Sequence, residues 1–171
     1  MRRMLLKCIC MVSLVGCANF ASPIPEGYQG PLATIKDSAH RYGSIKADLF
    51  YVTEVDGRHI EDSRSKTREV NSGRGAVMDP VILQRQVPAG ARVLRIAGGT
   101  EYAAPVMAFT NPVFQVAGDV KVELGSGKTY VVTGELGEGY SGVWVVDESS
   151  NEIIGSKVEI RESASSGSVQ E

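Results

Sequence analysis

The chain reads as an all-β protein, an antiparallel β-sandwich, and three observations carry that reading. Short alternating runs rich in Val, Ile, Tyr, Phe and Thr recur from residue 32 onward. Turn-forming clusters separate them at close intervals, and glycine occupies 19 of the 171 positions, about 11% against a usual ~7%. Only the stretch 62–72 has the polar composition of a short helix or connector, so no long helices intervene between strands. Hydrophobic residues make up 43% of the chain, enough for one core, and the length is that of roughly one domain.

Ala33–Asp37 is the first expected strand, followed by the stronger run Ile45–Asp56, where Leu49-Phe50-Tyr51-Val52-Thr53 concentrates β-formers. Asp56-Gly57 is a hairpin signal, with Arg58-His59-Ile60 as the return. Asp62 is placed to cap a short helix that Gly73 ends. Further strands are expected at Val81–Val87, Arg92–Ile96, Val106–Phe109, Val113–Val116, Val120–Leu124, Tyr130–Glu135, Gly142–Asp147 and Ile153–Ile160. Turns are expected at Pro88-Ala89-Gly90, Gly98-Gly99, Asn111-Pro112, Gly125-Ser126-Gly127, Gly137–Gly139 and Ser149-Ser150-Asn151. The Ser-rich tail 163–171 reads as disordered.

The amino terminus has a different character. Arg2, Arg3 and Lys7 precede an apolar run from Cys8 to Gly16 that is too short to span ~30 Å of hydrocarbon, so 1–16 reads as an export signal. Its end, Leu14-Val15-Gly16-Cys17, resembles the lipobox of bacterial lipoproteins. That resemblance implies cleavage before Cys17, acylation of Cys17 and, with Ala18 following, an outer-membrane destination. The cleaved chain keeps 155 residues, and losing Arg2, Arg3 and Lys7 takes its formal charge from −2 to −5. Cys8 and Cys10 leave with the signal, so no disulfide is available to the domain. Residues 17–31 read as the lipidated cysteine and a Pro-rich flexible tether that reaches ~40 Å when extended. The domain, 32–162, is similar to the β-sandwich, transthyretin-like or related, of small envelope lipoproteins of Gram-negative bacteria.

The slightly acidic balance excludes a broad phosphate-binding field, so no nucleic acid is expected. Gly125-Ser126-Gly127-Lys128-Thr129 ends like a phosphate-binding loop. The position needing the first glycine is Val122, however, and a strand-like run follows, so a hairpin turn is expected and no nucleotide. Glu54, Asp56 and His59, with Glu61 and Asp62 beside them, are candidate metal ligands at the first hairpin; solvated acids are the commoner reading. His40 and His59 are the only imidazole bases and sit in no catalytic signature. Arg64, Lys66, Arg68 and Arg74 form a basic stretch suited to an acidic partner, largely cancelled by Glu61, Asp62 and Glu69. Trp144 is expected in the core, inside Val143-Trp144-Val145-Val146, whereas Tyr140 and Tyr102 are candidate ligand contacts.

These readings give a non-enzymatic protein without a cofactor, anchored to the membrane through Cys17, facing the periplasm and binding another envelope component, a protein in the first instance. A carbohydrate- or peptidoglycan-binding module, marked by exposed aromatics on one sheet face, is the first alternative. A hydrolase, marked by a deep pocket with two facing carboxylates, is the second.

Overall fold

Alternating side chains divide residues 20–161, the part of the chain that the computed structural model describes, into two facing sheets. Residues 1–16, read as an export signal, Cys17, read as the acylated residue, and the tail 163–171, read as disordered, lie outside the described residues. In the first sheet β1 (Leu32–Lys36) sits between β5 (Gln84–Pro88) and β8 (Thr129–Leu136), and β9 (Tyr140–Asp147) and β10 (Ile153–Arg161) continue it beyond β8. The second runs β2 (Ser38–Tyr42), β3 (Lys46–Val55), β6 (Gly90–Tyr102), β7 (Gln115–Leu124), with β4 (Arg58–His59) paired to β3. Every pairing is antiparallel except β1 with β8. The β-sandwich is therefore the fold. Its core joins Ile35, Val87, Val132 and Val145 of one sheet to Val52, Leu94, Ile96 and Val120 of the other, each at most 1% exposed.

The helix α1 (Ser63–Asn71) forms where its cap signal stands: an Asp62 carboxylate oxygen accepts the Ser65 N–H at 2.8 Å. It packs on the outer face of β3, where Leu49 and Tyr51 form a small cluster with Ala97, separate from the main core. The Asp56-Gly57 hairpin also forms; both residues take positive φ, +49° and +76°, as a tight two-residue turn requires.

Several expected boundaries move. Gly98-Gly99 is no turn but the interior of β6, paired with Phe50 and Leu49 of β3 on one side and with Val116 and Gln115 of β7 on the other. A Cβ on Gly98 would stand 3.1 Å from the Phe50 ring, and Gly99 lies beneath the Arg64 guanidinium. Val106–Phe109 is not a strand; it belongs to a 3-10 helix, Pro105–Phe109, opened by proline at its first turn. Val113–Val116 and Val120–Leu124 fuse into β7, whose Gly118 makes room for Val158 of β10. The expected strand at Val81–Val87 starts only at Gln84, and β2 had no expected counterpart: its Ser38-Ala39-His40-Arg41-Tyr42 faces solvent over most of its length.

Trp144 also departs from expectation. It is half-buried on the outer face of β9, with the Lys157 ammonium 4.1 Å from its ring, while Val143 and Val145 fill the core positions. Residues 20–31, read as tether, lie against the domain. The Ala21 N–H donates to the His59 carbonyl at 2.8 Å, and the Pro31 carbonyl accepts the Ala89 N–H at 2.9 Å.

β1 and β2 are one extended run that changes sheets at Asp37. This carboxylate is buried and accepts from Val52 N–H (3.1 Å), Ser63 N–H (3.2 Å), Ser63 hydroxyl (2.6 Å) and both terminal nitrogens of Arg85 (2.8 and 2.7 Å). One side chain thus ties the sheet corner to β3, α1 and β5.

Candidate functional site

Arg64 and Arg68 are four residues apart on α1 and so point from one side of it. That side faces Glu101, which the alternation of β6 places on the outer face of its sheet beside Gly99. The Glu101 carboxylate accepts from Arg64 Nε and, in a two-bond fork, from Arg68 Nε at 2.9 Å and Nη2 at 2.8 Å. Glu101 is buried, with 8% of its side chain exposed, whereas Arg68 is 60% exposed. Arg64 Nη1 also donates to the Tyr51 hydroxyl at 3.4 Å.

Burial opposes the charge on Arg64, but the Tyr51 oxygen and Glu101 together outweigh it and hold the guanidinium above its ordinary pKa. Burial pushes the Tyr51 hydroxyl up, a shift that Arg64 partly offsets. Two cations around one carboxylate leave a formal surplus of one positive charge.

This cluster lies in a groove of about 830 Å³. Arg64, Arg68 and Asn71 of α1 line one side, Pro105 and Ala108 of the 3-10 helix line another, and Met78 is also in the lining. The size is that of a ligand-binding cleft. Beside it the 3-10 helix exposes Val106 and Phe109, 66% and 88% accessible. Tyr102 lines the groove and donates its hydroxyl to the Pro112 carbonyl at 2.8 Å, which closes the loop that carries the 3-10 helix.

The other candidates fall elsewhere. Tyr140 is on the opposite sheet, its hydroxyl bonded to Glu159 at 3.1 Å and its ring beneath the Arg161 guanidinium. Glu54 and His59 are cross-strand neighbours, but Glu54 faces Arg95, Asp56 accepts from Val93 N–H at 2.9 Å, and the His59 ring packs on Phe20. The structure does not bring these three together as a ligand set; among the described residues no group of three or more His, Cys, Asp or Glu side chains is arranged to hold a metal. His40 lies against Tyr42 at the sheet edge. Of the remaining basic residues, Lys66 pairs with Glu61 and Glu69, and Arg74 with Asp79.

Gly125-Ser126-Gly127-Lys128 forms a turn closed by the Lys128 N–H to the Gly125 carbonyl, but it joins β7 to β8, in different sheets, and is no hairpin. Lys128 pairs with Asp147 at 2.9 Å. Ser149, through its hydroxyl and N–H, and then Lys128 hold the Asp147 carboxyl well below the usual carboxylate range. Its stabilisation is therefore complete above the unfolded value of ~3.9 and is lost as pH falls toward the lower folded value. Melting curves of the protein and of Asp147→Asn should differ most at neutral pH and converge below about pH 4; a gap independent of pH would contradict this.

Glu101 and Tyr51 are the site residues that sequence reasoning missed. Reading Gly98-Gly99 as a turn cut β6 short and hid the outward alternation of Ala97, Gly99 and Glu101. The available signal was two arginines at helical spacing, which call for an acid opposite them. No known family model matches the chain, and neither a curated protein nor a solved structure does.

Proposed function

We propose that the chain is a lipid-anchored envelope protein that binds an acidic, partly apolar segment of another envelope protein in the α1–β6 groove, without catalysing a reaction. The observation that carries this reading is the groove itself: a surplus positive charge beside apolar walls, with Val106 and Phe109 exposed at its margin. Charge selects an acidic group and apolar contact supplies most of the affinity, as at protein interfaces. Both Glu101 oxygens are already engaged by guanidinium donors, so neither is offered to a substrate proton. The envelope location rests on Leu14-Val15-Gly16-Cys17.

A photo-crosslinking residue at Ala108 in intact cells should give a defined protein adduct, and Arg68→Glu should weaken it about tenfold or more by reversing the charge at the rim. Recovery of uncrosslinked protein alone would overturn the reading. Cys17→Ser should abolish acylation and release the protein from membranes, which tests the anchor separately.

A further inference from the structure

The two ends of the sandwich differ, and the chain reaches the first strand across only one of them. The turns at Asp56-Gly57, Ala89-Gly90, Gly125–Lys128 and Glu148–Asn151 share that end. Residues 20–31 form a strap fixed at both extremities. At one, the Ala21 N–H bonds the His59 carbonyl and the Phe20 ring lies 5.4 Å from the His59 ring. At the other, the carbonyls of Pro31 and Leu32 accept the N–H groups of Ala89 and Gly127 at 2.9 and 2.7 Å. The 3-10 helix and its exposed Phe109 are at the opposite end, beyond Tyr102.

The covalent distance to the anchor is short. Three residue steps separate Cys17 from Phe20, and an extended chain covers at most about 3.6 Å per residue, so the point of acylation lies within about 11 Å of Phe20. From this the geometry points to a fixed orientation: the strapped end of the sandwich rests on the lipid headgroups, with the His59 hairpin as its contact. The groove and Phe109 project away from the bilayer. β6 alone, Gly90–Tyr102, spans roughly 40 Å at ~3.3 Å per residue, so the partner-binding end is held clear of the membrane by the sandwich and not by a loose tether. This inference rests on acylation of Cys17, as proposed above.

The test uses the acylated protein, which keeps no other thiol, reconstituted in phosphatidylethanolamine–phosphatidylglycerol vesicles. Single fluorescent labels are introduced by Arg58→Cys, Ser126→Cys and Thr110→Cys. A headgroup-attached quencher should dim the labels at 58 and 126 and leave the label at 110 bright. Ala21→Pro, which removes the N–H donated to His59, should abolish the difference while acyl labelling persists. Equal quenching at the three sites in acylated protein would overturn the orientation and leave the anchor standing. Absence of acyl label on Cys17 would overturn the anchor and the orientation with it.

Discussion

Replacing Asp37 by alanine is expected to lower the unfolding free energy by about 3–5 kcal/mol, because it strands a buried guanidinium without its counter-charge. The Arg85 side chain is 10% exposed and both its terminal nitrogens bond this one carboxylate. Loss of the carboxylate also leaves the N–H groups of Val52 and Ser63 without their acceptor. Urea denaturation measures the effect: the midpoint should fall with little change in slope. The double variant Asp37→Ala/Arg85→Met should recover part of the loss, since it removes the unpaired charge as well. A single variant as stable as the parent would show that the corner does not depend on this ion pair.

Replacing Glu101 by glutamine is the second large effect, about 2–3 kcal/mol, the scale of hydrogen bonds to charged groups. It is smaller than at Asp37 because Arg68, 60% exposed, can turn to water, whereas Arg64, 20% exposed, has less freedom to do so. The same substitution raises the positive surplus in the groove from one charge to two. Stability and ligand preference are therefore expected to move in opposite senses, with a lower urea midpoint and tighter capture of an acidic peptide by the folded protein. Adding Arg64→Met should restore much of the stability; failure to do so would trace the loss to something other than an uncompensated cation.

The sandwich was legible because β3, β8, β9 and β10 carry dense β-branched and aromatic runs between clear turn residues, and because Asp62 is a strong cap for α1. Legibility failed where local composition and tertiary environment disagree. Glycines 98 and 99 look like a turn, yet they sit in the longest described strand because β3 and β7 pair with them on both edges, with the Phe50 ring close over Gly98 and Arg64 over Gly99. Val106–Phe109 has β-forming side chains, but Pro105 and the absence of a strand partner leave it helical and exposed. The candidate site was half visible for the same reason. Arg64, Arg68 and Tyr102 stood out by type, while Glu101 acquires its meaning only from a helix that crosses the sheet far from it in sequence.

The parallel pairing of β1 with β8 has a kinetic consequence. Ile35 and Tyr130 are register partners 95 residues apart in sequence, and they lie in the core. Closing so long a loop must precede the reward of the contact, which places folding on the slow side for a single domain, at about milliseconds to seconds. β1 is synthesised ahead of the other described strands, yet its sheet is completed only when β8, β9 and β10 follow. Until then Ala33 and Ile35 lack part of their cover, and the nascent chain presents an unpaired hydrophobic edge.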